Sequence, residues 1–297
     1  MSTRSQAGAR GGSRRDVLRA ALAAPAIGAI GTLGTTATAA EAAKVVKNGR
    51  LKQSACRWCY GKIPMDELCS AAKDMGLVGL DLVGPADFAT LKKYGLVSTM
   101  VPSNPLTNGP CDPKFMKPSL EAMVKAIEAT SKEGWRNVIC MSGNARGIDP
   151  KTGMDNCVKV LKEAAPIAEK AGVILNMELL NSKVDHPDYM CDNSKWGVEL
   201  VKRVASPNFK LLYDIYHMQI MEGDVIRTIE ANHEHYAHYH TGGNPGRNEL
   251  DETQELNYKA IAKAIVATGF DGYMAHEFIP KRDPLTSLRE AVALCDV

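Results

Sequence analysis

The chain has 297 residues, 45% hydrophobic and 24% charged, a composition that fits one large globular domain or two small ones. Its formal charge of +2 misleads, because residues 1–39 hold five arginines (Arg4, Arg10, Arg14, Arg15 and Arg19) against Asp16 alone. The remainder carries 31 basic and 33 acidic residues, a charge of −2, which excludes an electrostatic footprint for nucleic acid.

In chain order, the first feature is Ser13-Arg14-Arg15-Asp16-Val17-Leu18-Arg19, followed by an uncharged Ala/Gly-rich run from Ala20 to Ala40 that ends in Ala37-Thr38-Ala39. A basic segment, a weakly apolar stretch and an Ala-x-Ala site describe an export signal, and the paired arginines point to the twin-arginine route to the periplasm. A disordered basic tail or a membrane anchor is the alternative, but Ala, Gly and Thr are too weakly apolar for a good spanning helix. The expected organisation is a signal over 1–40, a linker over 41–50 and one catalytic domain over 51–297, with no stable membrane anchor once the signal is removed.

Beyond Leu51, β-like runs alternate with amphipathic helical runs, the signature of parallel α/β architecture. Strands are expected over 52–59, 78–82, 96–101, 137–142, 173–178, 209–214, 235–240 and 272–277. Helices are expected near 64–75, 86–94, 116–133, 154–171, 193–204, 223–232, 257–268 and 284–295. Val138-Ile139-Cys140-Met141 and Val173-Ile174-Leu175 are continuous apolar runs, as strands covered on both faces require. Pro166 should kink or break the fourth helix. Eight strand–helix units in about 250 residues match a closed (β/α)8 barrel. An open doubly wound sheet would carry a Gly-rich phosphate turn after its first strand, and Cys59-Tyr60-Gly61-Lys62 offers none.

Eight cysteines (56, 59, 69, 111, 140, 157, 191 and 295) are too sparse for a disulfide scaffold. Cys56-Arg57-Trp58-Cys59 has the C-x-x-C spacing, but in a strand its two sulfurs would point to opposite faces. Structural thiols are the expectation, the more so because twin-arginine cargo folds before export, in a reducing cytoplasm.

In a β/α barrel the carboxyl ends of the strands build the active site. Strand five ends at Glu178, strand six at Asp214, strand seven at His240 and strand eight at Glu277, so four consecutive strands deliver Glu, Asp, His and Glu to one rim. One such acid is often a helix cap; four in succession point to a divalent ion, Mn²⁺, Mg²⁺, Co²⁺ or Zn²⁺, held by hard oxygens and one imidazole. Alternation places His238 and His240 on one face of strand seven; His240 is nearer the rim and is the expected ligand, with His238 supporting or packed. His233 and His235 belong to the opposite end. Trp58 and Tyr60 share a face by the same alternation and are candidates for an apolar pocket wall, with core packing the alternative for one of them.

These residues resemble the xylose isomerase-like TIM barrels, and within them the hydroxypyruvate isomerase-like branch. The resemblance runs from about Leu51 to the carboxyl terminus. It rests on Asn176-Met177-Glu178-Leu179-Leu180-Asn181 with His186-Pro187, Tyr213-Asp214-Ile215-Tyr216-His217-Met218-Gln219 with Glu222-Gly223-Asp224, Pro245-Gly246-Arg247 followed by Glu255-Leu256-Asn257-Tyr258, and Gly272-Tyr273 with Glu277-Phe278. It implies that Glu178, Asp214, His240 and Glu277 bind the metal, that Glu178 and Glu277 are the acid/base pair, and that His217 and Arg247 grip substrate oxygens. The chain departs from the hydroxypyruvate isomerase pattern at His240, where that pattern has Gln and the epimerases of the superfamily have His.

Such a site supports proton transfer between adjacent carbons of a small sugar or sugar acid through an enediolate. Arg247, planar and always charged, suits a substrate carboxylate or a polarised oxygen, although a loop salt bridge uses the same chemistry; Glu255, in the same loop, is expected to support it. Ketose 3-epimerase and inosose dehydratase activities share the intermediate and compete with aldose–ketose isomerisation. An endonuclease of the superfamily would need more His and Asp ligands and a basic groove. The rival of another class is an exported sugar-binding barrel without catalysis. No oligomeric state follows from these motifs.

Overall fold

The computed structural model describes residues 44–297; the expected export signal, residues 1–40, lies outside the described residues. Eight parallel strands occur at β1 Lys52–Cys56, β2 Gly79–Asp81, β3 Val97–Met100, β4 Asn137–Cys140, β5 Ile174–Glu178, β6 Phe209–Asp214, β7 Tyr236–Thr241 and β8 Tyr273–His276. Their order is β3-β2-β1-β8-β7-β6-β5-β4. The two ends of this ladder meet through a parallel bridge between Val101 and Val138, with Val101 N–H donating to the Asn137 carbonyl and Ile139 N–H to the Val101 carbonyl, both at 3.0 Å. The ring is thereby closed, and the (β/α)8 TIM barrel expected from the alternation is the architecture found.

The helices lie between the strands: α1 Met65–Met75, α2 Phe88–Lys93, α3 Met116–Lys132, α4 Pro150–Ala171, α5 Ser194–Val204, α6 Ile215–Met221, α7 Val225–Asn232, α8 Tyr258–Ala267 and α9 Pro284–Cys295. Their starts follow local chemistry. Asp149 accepts from the backbone of Lys151 and Thr152 ahead of Pro150, Asn193 caps α5, Asn257 caps α8 and Asp283 caps α9 ahead of Pro284. Two expectations are corrected here. The fourth helix begins at Pro150 rather than 154 because the Asp-Pro cap lies there, and it continues through Pro166 without a break.

Alternation divides each strand between two environments. Outward residues such as Leu175, Met177, Leu211 and Tyr213 pack with Val158, Leu161, Val198 and Val201 from the helices, while Ala55 and Leu80 pack with Leu68 and Ala72 of α1 and Leu288 and Val292 of α9. Each buried Leu, Val or Met side chain among them contributes about 1.5–3 kcal/mol. The barrel interior is more polar. Thr99 bonds Ser54 and Asp81, Asn137 donates to the Thr99 carbonyl, and Asn176 donates to Asn137, while Met100, Ile139 and Leu212 form a small apolar cluster of their own. Gly79 is required where β2 meets β3, because a Cβ there would stand 2.1 Å from the Val97 carbonyl oxygen.

Residues 44–50, expected as a linker, are held against the barrel. Val45 and Val46 donate to the Met75 carbonyl, and Lys47, Asn48 and Gly49 donate backbone N–H groups to the Asp296 carboxylate. Among the described residues no helix is long and apolar enough to cross a membrane.

Candidate active site

Glu178 ends β5, Asp214 ends β6, His240 is the penultimate residue of β7, and Glu277 follows β8 directly. One ligand atom from each lies within 4.8 Å of every other. His240 Nδ1 is 3.0 Å from Glu178 Oε1, 2.8 Å from Glu277 Oε2 and 3.9 Å from Asp214 Oδ2. All four residues are at most 3% exposed. The residues singled out at four strand ends therefore converge on one point.

Asp214 has two tasks. Its Oδ1 accepts the backbone N–H of His217 at 3.0 Å and so starts α6, while Oδ2 faces the cluster. α6 occupies a stretch expected as loop, because the cap and the site share one aspartate. His217 is accordingly on a helix, fully buried, with Nε2 3.6 Å from Asp214 Oδ2. Its tautomer can be read from its neighbours. Asn181 Oδ1 accepts from the backbone of Val184 and Asp185, so its amide nitrogen faces Asp185 and, at 2.6 Å, His217 Nδ1. Nδ1 is then the acceptor and Nε2 carries the proton, a donor aimed at the cluster with no other partner. Burial, with Arg247 nearby, holds the His217 pKa well below its ordinary value, consistent with a neutral ring.

Arg247 covers the cluster. Its Nη2 is 2.5 Å from Glu277 Oε2 and 3.5 Å from Asp214 Oδ2, and its guanidinium sits between Trp58 and Tyr216, 5.3 and 5.4 Å from the ring centroids. It is more than a loop salt bridge, since two of the four clustered acids and bases are its partners. Trp58 Nε1 donates to Glu277 Oε1 at 2.6 Å, and the ring is 46% exposed at the mouth.

Three expectations fail here for stated reasons. β1 ends at Cys56, and residues 57–60 form a 3₁₀ turn, so alternation does not apply to Trp58 and Tyr60. Trp58 reaches the cluster, but Tyr60 is buried, edge-on to Phe278 at 6.4 Å, and lines no pocket there. The C-x-x-C pair likewise does not share a strand, since Cys56 is the last residue of β1 and Cys59 is in the turn; Cys56 and Cys59 are unbridged, as are the other six cysteines. Glu255 bonds Gln219 and Asn244 rather than Arg247. One residue was missed altogether. Asp81 ends β2, fully buried, with Oδ2 2.8 Å from His240 Nε2. An aspartate inside Leu80-Asp81-Leu82-Val83 was itself the available signal, since acids are almost never fully buried without a partner.

The electrostatics favour a cation. Burial, then Glu277, pushes the Glu178 carboxyl up, and burial with Glu277 pushes Asp214 to about 8. Burial also works against the Glu277 carboxylate, but Arg247 and His240 outweigh it and hold that group well below the usual range. Burial disfavours a charged His240, yet Glu277 and the Asp81 hydrogen bond keep its pKa well above the ordinary value. Three buried carboxylates around one imidazole nitrogen, offset by Arg247 and by a His240 proton that a divalent ion would replace, are a donor set of the hard-oxygen and imidazole type that suits such an ion.

Comparison with known proteins shows the family. The chain is 30% identical over 169 residues to a putative hydroxypyruvate isomerase of Xenopus laevis, covering 55% of this chain and 62% of that one, less than two thirds of its length. It is 27% identical over 180 residues to the hydroxypyruvate isomerase of Escherichia coli K12, covering 60% and 69%. A crystal structure described as AP endonuclease, family 2, from Brucella melitensis superposes with a TM-score of 0.70 at 24% identity, over 80% of this chain and 96% of that one, a likeness of fold. The model of the xylose isomerase-like TIM barrels matches residues 89–296, most of the chain, and the protein belongs to that family.

Proposed function

We propose that the protein is a divalent-cation-dependent isomerase of a small hydroxy-carbonyl sugar or sugar acid. The observation that carries the reading is the meeting of Glu178 and Glu277 at one imidazole nitrogen, 3.0 and 2.8 Å from His240 Nδ1, with Asp214 beside them. Glu178, Asp214, His240 and Glu277 would hold the cation (Mn²⁺, Mg²⁺, Co²⁺ or Zn²⁺). When bound, it supplies Lewis-acid polarisation of a carbonyl and charge stabilisation.

The chain's own groups do the rest. One glutamate takes the proton from the carbon bearing the hydroxyl, and its partner returns a proton to the neighbouring carbon. Positioned carboxylates of this kind contribute roughly 10²–10⁴-fold. His217 offers Nε2–H to a substrate oxygen, and Arg247 offers guanidinium donors to a carboxylate or polarised oxygen, with Trp58 and Tyr216 limiting its freedom to move. Small-molecule turnover also accords with the −2 charge of residues 40–297, and the paired arginines near the amino terminus support export to the periplasm as part of the same proposal.

The relatives called hydroxypyruvate isomerase support isomerisation. The histidine at position 240, which the epimerases carry, favours epimerisation as the second reading. One experiment tests both. The cation-loaded protein is incubated with a panel of small keto- and aldo-sugars and sugar acids in deuterated water and followed by NMR. Deuterium entry with a shifted carbonyl supports isomerase; entry with inversion at one carbon supports epimerase. Tight binding of a sugar without any exchange would replace catalysis with the sugar-binding reading.

A further inference from the structure

Asp81 is a fully buried charge that the proposed chemistry does not use. It lies across the His240 ring from the carboxylate cluster. His240 Nδ1 faces Glu178 and Glu277, and His240 Nε2 faces Asp81 Oδ2 at 2.8 Å. A carboxylate only accepts, so Nε2 carries a proton toward Asp81 and Nδ1 carries one toward Glu178 and Glu277; a cation at the cluster would take the place of the Nδ1 proton, while Asp81 keeps the other on Nε2. Asp81 is in turn fixed by Thr99, whose hydroxyl donates to Oδ1. β2 and β7 are separated in the ladder by β1 and β8, so this contact spans the barrel interior instead of running between neighbouring strands.

We propose that Asp81 is a positioning residue for the cation centre, holding His240 in the Nε2–H tautomer and in the orientation that presents Nδ1 to Glu178, Asp214 and Glu277. This rests on the cation-binding reading above. A different use of the same atoms is a second, interior cation, since Cys56 Sγ, Asp81 and His240 also lie within 4.8 Å of one another. The geometry favours the hydrogen bond: Cys56 Sγ stands 3.7 Å from Asp81 Oδ2 and 3.9 Å from His240 Nε2, while the Asp81–His240 contact has ordinary hydrogen-bond length.

The test uses the full-length protein, with Zn²⁺ affinity and stoichiometry measured by chelator competition and the His240 Nε2–H followed as a downfield proton resonance of the Zn²⁺-loaded form. Asp81→Asn should weaken Zn²⁺ binding roughly 10- to 100-fold and displace that resonance. Thr99→Val removes an equally buried bond to the same carboxylate but leaves His240 its acceptor, and should bind Zn²⁺ much as the parent does. Asp81→Ser gives the same comparison should the asparagine variant not fold. Parent-like affinity in the Asp81 variants, or equal losses in the Asp81 and Thr99 variants, overturns the proposal. So does a second Zn²⁺ per chain that disappears in Cys56→Ala. A parent protein that binds no Zn²⁺, Mn²⁺, Co²⁺ or Mg²⁺ overturns the underlying cation reading instead.

Discussion

Trp58 and Glu277 are 219 residues apart in sequence, yet the indole Nε1 donates to the carboxylate Oε1 at 2.6 Å while Arg247 binds the other oxygen. Both oxygens of Glu277 are thereby held by donors from two different loops, one after β1 and one after β7. A carboxylate constrained in this way has little freedom to rotate away from a bound molecule. Trp58→Phe keeps the ring over Arg247 and removes only the donor. A hydrogen bond to a charged group contributes about 1.5–3 kcal/mol, so kcat should fall roughly 10- to 100-fold if Glu277 must be aligned at the moment of proton transfer. Steady-state kinetics with the substrate identified by deuterium exchange would check this; an unchanged kcat refutes the alignment role.

Glu178→Gln and Glu277→Gln should each lower solvent deuterium incorporation by at least about 100-fold, because an amide neither takes nor returns the proton. The two should differ in stability. Glu277→Gln strips Arg247 of its closest buried partner, whereas Glu178→Gln relieves repulsion within the cluster. Glu178→Gln is therefore expected to melt higher than Glu277→Gln in the absence of cation. Parent rates of incorporation in both variants would remove the glutamates from the reaction.

The distribution of what was legible in the sequence follows from how each residue signals its place. Glu178, Asp214, His240 and Glu277 stand at or beside the ends of strands of four to six residues, so a strand-end rule finds them. The expected first strand runs past Cys56 because Trp58 and Tyr60 prolong an alternation that the 3₁₀ turn at 57–60 does not obey. Asp81 lacks a strand-end signal because β2 is only three residues long and the flanking apolar residues extend the expected strand to Leu82, which in fact leaves the strand with φ of 55°. The orienting contacts of Asn181 and Trp58 are tertiary and have no periodic signature at all.

Cation binding should be visible without any substrate. At a free cation concentration 100 times its Kd, a site present only in the folded state adds about 2.7 kcal/mol to stability. Melting of the chelator-treated protein with added Mn²⁺ or Zn²⁺ should therefore shift upward in proportion to the logarithm of cation concentration. Asp214→Ala should abolish that shift. Because Asp214 also caps α6, the variant should in addition start about 1 kcal/mol less stable, so the cation-dependent shift, not the starting midpoint, is the diagnostic quantity. No shift in the parent with any of the four cations would count against the centre.

The carboxyl terminus makes an independent prediction about stability. Asp296 Oδ2 accepts from the backbone of Lys47 at 2.6 Å and Asn48 at 2.9 Å, and Oδ1 accepts from Gly49 at 2.9 Å, tying the first described segment to the last helix. Burial works against this carboxylate, but the three backbone donors outweigh it and lower its pKa. The sign follows from linkage: a depressed folded-state pKa stabilises above the unfolded value, near 3.9, and that contribution is lost as pH falls through the folded value. Asp296→Ala should cost about 1–2 kcal/mol at pH 7, less than the full range of about 1.5–3 kcal/mol for charged hydrogen bonds because the group is partly exposed. Urea unfolding across pH 2–7 should show parent and variant separated at neutral pH and converging below about pH 4. A constant gap down to pH 2 would mean that Asp296 contributes packing and no charge-dependent tether.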